Sequence, residues 1–310
     1  MKVAAALALL AASASPLAQD IPPVQRLPQP PVFRTTASVV ALNVTVQDPS
    51  AKYVAGLQPD DFAVYEDGVR QQVRFFESTS VPIDLIVLID TSSSMRDTMA
   101  VVHDAAAGFL SSLRDGDRAA VVAFADTVTI VEPLTSDREA VQRAVRSTVA
   151  HGNTSLNTAI YVALKQFGAR ARTTALRRQA IVLLSDGADT SSGVSLDDVL
   201  GVARRSGVSI YTVSLRPSTP RPYPRAEADD SDRTLRTLAR ESGGQAFFPA
   251  PAQLKSVYRA IATEIASQYS IGYVPADQRA DGRFRRVVVQ ILTGTALLSR
   301  TRLGYVADAR

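Results

Sequence analysis

Four stretches of the chain are apolar almost throughout: IDLIVLID at 83–90, AAVVAFA at 119–125, QAIVLLSD at 179–186 and VSIYTVSL at 208–215. A strand that alternates apolar with polar residues can leave one face in water, whereas an unbroken apolar strand must be covered on both. Between these runs lie segments with helical periodicity. Over 95–113, Met99, Val102, Ala106, Phe109, Leu110 and Leu113 fall along one side. Helices are likewise predicted over 138–149, 156–167, 196–205, 233–241 and 253–267, and further strands over 127–134 and 245–249. Repeated alternation of this kind specifies an α/β fold, a mostly parallel sheet with helices on both faces. Sites in such sheets form at the C-terminal ends of the strands.

The flanks have another rhythm. Val40, Leu42, Val44 and Val46 recur with a period of two, Asp67-Gly68 is a strong hairpin turn, and 69–76 reads as the returning strand. At the other end YSIGYVP, RRVVVQILTG and LLSRTRLGYV read as three strands. The alternation over 286–291 is incomplete, which suits a strand covered on both faces. Residues 38–78 and 268–310 are each too small to bury a core. They are expected to pair into one small β-sandwich-like unit beside an α/β domain spanning 79–267.

Ahead of them, Lys2 followed by the apolar Val3–Ala12 and small residues has the pattern of a signal peptide over 1–18, with cleavage after Ala14 or Ala18. The expected location is the periplasm or the exterior of a bacterium. Five prolines between Ile21 and Val32 make 19–37 a solvated linker. No later run is apolar for long enough to cross a bilayer.

The chemistry available is narrow. There is no cysteine, so neither a thiolate nucleophile nor a disulfide, and the only histidines are His103 and His151. His103 falls on a helix beside Met99 and Leu110 and reads as a packing or surface residue. His151 flanks a glycine turn. Neither has a Ser–Asp pair around it. No Gly-rich phosphate loop occurs, and a net charge of +4 with acids interspersed gives no basic stripe for nucleic acid. The chain is therefore not expected to be an enzyme.

Three strand-end loops carry oxygen-bearing side chains: Asp90-Thr91-Ser92-Ser93-Ser94, His151-Gly152-Asn153-Thr154-Ser155 and Ser185-Asp186-Gly187. Two carboxylates and several hydroxyls, without His or Cys, suit a hard divalent cation. Each loop alone is commonplace, a helix cap or a turn. Together, in this order, they resemble the von Willebrand factor type A (VWFA) domain, whose metal-ion-dependent adhesion site (MIDAS) combines D-x-S-x-S, a distant Thr in G-x-T and a distant Asp in L-[ST]-D-G. DRAAVVAFAD at 117–126 resembles that family's second strand. The likeness spans roughly 82–266 and implies a Rossmann-like fold. LQPDDFAVYEDGVRQQVRFFES and the C-terminal strands resemble a subgroup of exported bacterial VWFA-related proteins.

By position, the resemblance makes Asp90, Ser92, Ser94, Thr154 and Asp186 the ligands of Mg²⁺, or of Mn²⁺ or Ca²⁺. Ser92, Ser94 and Thr154 bind through hydroxyls, Asp90 and Asp186 mostly through water. The sixth position faces an Asp or Glu of a partner protein. Ser93, Ser155 and Ser185 are extra hydroxyls, with Ser155 favoured as a helix cap and Asp189 read as a solvated loop residue. A metal-dependent adhesion module is the favoured function; the alternative is a structural component of the cell envelope whose metal only holds the loops. The proline-rich stretch 215–234, at the strand ends, either shapes partner choice or is a surface insertion.

Overall fold

The order of strands and helices follows the apolar runs. Strands β1 (Val40–Gln47), β2 (Phe62–Glu66), β3 (Val69–Gln71) and β4 (Val73–Glu77) come first. The alternating region comprises β5 (Ile83–Asp90), α1 (Met99–Leu110), β6 (Arg118–Phe124), β7 (Val128–Thr135), α2 (Arg138–Arg146), α3 (Leu156–Gly168), β8 (Arg178–Ser185), α4 (Leu196–Ser206), β9 (Ser209–Ser214), α5 (Ala226–Ser242), β10 (Ala246–Phe247) and α6 (Leu254–Ser267). It is followed by β11 (Tyr269–Tyr273), β12 (Phe284–Ile291), β13 (Leu298–Arg300) and β14 (Gly304–Val306). This computed structural model describes residues 39–78, 81–168, 177–185, 189–215, 226–294 and 296–307. The signal-peptide and linker segments, Asp186 with Gly187, and residues 216–225 of the proline-rich stretch lie outside the described residues.

Six strands form the central sheet in the order β10-β9-β8-β5-β6-β7, all parallel except β7, which runs antiparallel to β6. Every residue of β5 is buried. Ile83, Leu85, Val87 and Ile89 enter one apolar cluster with α1, α2 and α6, while Ile86 and Leu88 enter another with α3, α4 and α5. The chain leaves β5 outward through β6 and β7 and returns to β8 on the other side. β5 is therefore the topological switch point, where open α/β sheets form their crevice.

Helix boundaries depart from the periodicity for local reasons. The helix expected over 95–113 is a 3₁₀ turn at Ser93–Met95 and then α1, because the Thr98 hydroxyl donates to Met95 O (2.9 Å) and turns the chain. α2 ends at Arg146 rather than 149: the Ser147 and Thr148 hydroxyls take the Ala144 and Val145 carbonyls at 2.8 Å each. α5 starts at 226, so the second half of the proline-rich stretch is helix rather than loop.

The flanks pair as their composition requires. Two antiparallel sheets, β13-β1-β11-β4 and β14-β12-β2-β3, enclose one cluster in which Leu42, Val44, Ile271 and Tyr273 meet Phe62, Val64, Val287 and Val289. Asp67 and Gly68 both have positive φ, as a tight hairpin turn demands. The single return strand expected over 69–76 divides at Gln72, β3 joining β2 and β4 joining β11. The last predicted strand likewise divides, β13 pairing with β1 and β14 with β12. Both crossings let one chain serve two layers. β12 is not covered on both faces. Val287 and Val289 point in, whereas Phe284 and Val288 are 43% and 38% exposed.

A polar seam joins sandwich to sheet. The Arg178 guanidinium donates to Val81 O, Ile265 O and Gln268 O, capping the C-terminus of α6. Glu264 of α6 is fully buried, accepts from Tyr53 Oη (3.2 Å) and Tyr211 Oη (2.8 Å), and pairs with Arg300 at 2.6 Å. Tyr53 and Arg300 belong to the flanks and Tyr211 to β9, so one carboxylate ties both parts. Glu264→Ala is expected to cost about 3 kcal/mol, read as a lower urea midpoint in a single transition. Two separated transitions would show that the seam does not make the parts cooperative.

Candidate metal centre

Asp90 ends β5 with its carboxylate wholly buried. Its Oδ1 accepts from Ser92 N (2.8 Å) and its Oδ2 from Ser185 Oγ (2.5 Å), so the ends of β5 and β8 are tied through one side chain. Thr91 donates through N and Oγ1 to Phe124 O (2.8 and 3.0 Å), tying in the end of β6.

The loop before α3 joins the same cluster. Ser93 N donates to Gly152 O (3.0 Å) and His151 N to Thr91 O (2.6 Å). Thr154 is clamped through its backbone: its N donates to Thr190 Oγ1 (3.0 Å), and its O accepts from Thr190 N and Ser191 N (2.9 and 3.1 Å). Asp90, Ser92 and Thr154 are buried while Ser93 and Ser94 are exposed, so the cluster opens to solvent on the Ser94 side. Four of the five expected ligands thus sit in mutually bonded loops. The fifth, Asp186, lies outside the described residues, next in sequence to Ser185.

The donors match a hard cation. Among the described residues no three His, Asp or Glu side chains gather, and the described side chains at these loops offer one carboxylate, Asp90, beside the hydroxyls of Ser92, Ser94 and Thr154. Ser92 Oγ and Ser94 Oγ are hydrogen-bonded to each other at 3.0 Å. Two oxygens at right angles on one Mg²⁺, each at about 2.1 Å, are about 3.0 Å apart.

The roles of three residues of this neighbourhood carry no local signal in the sequence. Asp126 accepts from Asn153 N (3.1 Å) and Nδ2 (2.8 Å), setting the Thr154 loop. Asp189 Oδ1 accepts from Leu156 N (3.0 Å), its Oδ2 from Asn157 Nδ2 (2.8 Å), and Ser192 Oγ from Thr158 N (3.0 Å). These side chains cap α3 from another loop, so Asp189 is not a solvated loop residue. Ser155 is not the side-chain cap either. Its Oγ donates to Asp126 O (3.1 Å) and shares a hydrogen bond with Ser191 Oγ (2.9 Å).

Both histidines serve structure. His151 is exposed, with Nδ1 on Val149 O at 2.9 Å. His103 Nε2 lies 2.8 Å from Thr148 Oγ1, whose own proton goes to Val145 O, so Nε2–H is the donor. Burial pulls the His103 pKa below its usual value. Among the described residues no helix is long and apolar enough to cross a membrane.

Residues 84–259, more than half of the 310-residue chain, match the family model of the von Willebrand factor type A domain. The chain belongs to the VWFA family. VWFA domains are typically non-catalytic modules of protein–protein interaction, and many work through a divalent cation at the MIDAS. A UPF0353 protein of Mycolicibacterium paratuberculosis is 29% identical over 274 residues, covering 78% of this chain and 76% of that protein. A UPF0353 protein of Mycobacterium avium is 30% identical over 269 residues with the same coverage, 78% and 76%. In fold, the chain is similar to the von Willebrand factor type A structure from Catenulispora acidiphila, with TM-score 0.52 and 15% identity over 89% of this chain and 76% of that one. That coverage exceeds 84–259, so the likeness in fold includes part of the flanking strands.

Gly152 has φ +70°, and a Cβ there would collide with the Asp126 carboxylate. Gly152→Ala should therefore cost at least about 1 kcal/mol from backbone strain alone, measured by thermal melting. In that background Asp126→Ala should cost less than it does in the wild type, since it removes the collision. For His103 the depressed native pKa means that the unfolded chain takes up the proton first. Stability should then fall as the pH drops from about 7 to 5, and His103→Gln should flatten that limb.

Proposed function

We propose that Asp90, Ser92, Ser94, Thr154 and Asp186 hold one Mg²⁺, and that the ion takes an Asp or Glu side chain of a partner protein at its open position. The observation that carries this reading is the bonding of the Asp90 loop to both the end of β8 and the Thr154 loop, with Ser92 and Ser94 hydroxyls at the spacing of neighbouring ligands. Ser92, Ser94 and Thr154 bind through hydroxyls, Asp90 and Asp186 chiefly through water. Neutral donors on the open side leave the ion's charge available to an outside anion, which is the chemistry the metal supplies. Mn²⁺ and Ca²⁺ suit the same oxygens.

The protein is read as a non-catalytic adhesion module of the periplasm or cell exterior, exported by the segment 1–18. In the rival reading, a structural component, the ion serves only to hold the loops. The Ser93–Gly152, His151–Thr91 and Thr190–Thr154 backbone bonds already hold them, which favours a role for the ion toward a ligand.

Saturating Mg²⁺, at a hundred times its Kd, should add about 2.7 kcal/mol to the stability of the wild type and nothing to Asp90→Ala or Thr154→Val. The same protein immobilised in Mg²⁺ should capture an exported protein that EDTA or a free acidic peptide releases. Capture that persists in EDTA would refute the adhesion reading. Stabilisation by Mg²⁺ without competition by the acidic peptide would favour the structural one.

A further inference from the structure

Two of the three buried arginines in the described structure, and the half-buried Arg177, are matched. Arg177 pairs with Asp84, Arg178 with three carbonyls, and Arg285 with Asp277 and Asp281. Arg302, between β13 and β14, is the exception. It is 9% exposed, its Nε has no hydrogen-bond partner, no described carboxylate pairs with it, and its guanidinium lies 5.4 Å from the centre of the Tyr305 ring. The neighbouring Thr301 Oγ1 is buried and unpartnered as well. A ring face offsets only part of the cost of burying a cation without a carboxylate, and burial pulls the Arg302 pKa down.

Both residues line a groove of about 810 Å³ between α5 and the C-terminal strands. It lies at the N-terminal end of β10, hence at the end of the parallel sheet opposite the Asp90 loops. One wall is the face of α5 that carries Arg233, Arg236 and Arg240, all exposed. Arg286 of β12 stands across from them. No described carboxylate lines the groove or ion-pairs with Arg233, Arg240 or Arg286. The floor is apolar, with Val288 and Leu303 each 38% exposed.

This combination selects among anions. Nucleic acid would want exposed rings on which bases stack, but the nearby Phe248 is covered by the Arg236 guanidinium at 4.1 Å. A bilayer is flat, whereas the arginines flank a concavity. An extended polypeptide alternates its side chains and can offer carboxylates to the walls and apolar groups to the floor. From Arg233 to Arg240 the wall runs about 10 Å, room for about three extended residues.

We propose that this groove binds an extended acidic segment of a partner protein, its carboxylates pairing with Arg233, Arg240, Arg286 and Arg302 and its apolar side chains resting on Val288 and Leu303. The test is fluorescence anisotropy of a labelled hexapeptide alternating Glu with Val, titrated with the full chain in EDTA at low salt. EDTA removes any contribution of the metal loops, so failure here leaves that reading untouched. Saturable binding is expected, weakened at least about tenfold in Arg233→Glu/Arg240→Glu, weakened by added salt, and absent for a Lys–Val peptide. Arg302→Gln should weaken binding while leaving the salt dependence less steep. The double variant alters exposed positions only, so it reports on the groove even if Arg302→Gln fails to fold. Absence of saturable binding, or equal affinity in the double variant, would overturn the proposal. So would arginine-dependent binding of phosphatidylglycerol vesicles without binding of the peptide, which would make the ligand a lipid surface.

Discussion

Asp90 is buried completely at the end of a strand that is itself buried on both faces, and its two oxygens accept from different parts of the chain, Ser92 N and Ser185 Oγ. A buried carboxylate costs several kcal/mol unless such bonds are made. The turn after β5 and the end of β8 therefore cannot separate without stranding the charge. β5 gains its burial from α1, α2 and α6 on one side and α3, α4 and α5 on the other. Displacing it would unmake both layers. The position of the Asp90 loop is thus set by the whole α/β core, and the Thr154 and Thr190 loops are positioned by bonding to its surroundings.

The sandwich is anchored to that core by polar groups matched one to one. Glu264 gathers Tyr53, Tyr211 and Arg300, and Arg178 satisfies carbonyls at the end of α6 and before β5. Apolar contact alone would tolerate sliding of one layer on another. A guanidinium held by three carbonyls does not, because a shift strands a buried donor. The same requirement makes Arg302 conspicuous: it sits at the crossing between the two small sheets, where the chain could have carried an apolar residue at less cost.

The α/β core and the loops that carry Asp90, Ser92, Ser94 and Thr154 are legible because their signals are local. Unbroken apolar strands declare burial on both faces, and D-x-S-x-S or G-x-T lies within five residues. What was not legible is what depends on pairing. A period of two says that 69–76 is extended but not which strand it joins, so the division at Gln72 between two sheets leaves no trace in the pattern. The incomplete alternation over 286–291 points to two covered faces, whereas Val288, 38% exposed between the buried Val287 and Val289, lies on the outer face, where an exposed valine is ordinary. Asp126 and Ser192 carry no signal, and Asp189 reads as a solvated loop residue, for a related reason. Each acts on a residue 27 to 34 positions away, and only the return of the chain across β5 brings them together.

That return also bears on how tightly an ion could be held. Loops that order only when a ligand arrives lose binding free energy to their own conformational entropy, about 1–2 kcal/mol for each backbone residue fixed. Here Gly152 is held against Asp126 and Ser93, Thr154 is held by Thr190, and α3 is capped by Asp189 and Ser192. The ordering cost of those segments is met in folding, by contacts that involve no ion. On the proposed reading, a cation has only to exchange some of its own water for hydroxyls such as Ser92 and Ser94, which hydrogen-bond to each other at 3.0 Å, about one octahedral edge. Mg²⁺ sheds water reluctantly, and a site that also asked the protein to rearrange would hold it weakly. A cluster built in advance can keep neutral ligands, forgo the affinity that more carboxylates would bring, and leave the charge of the ion for a partner's carboxylate.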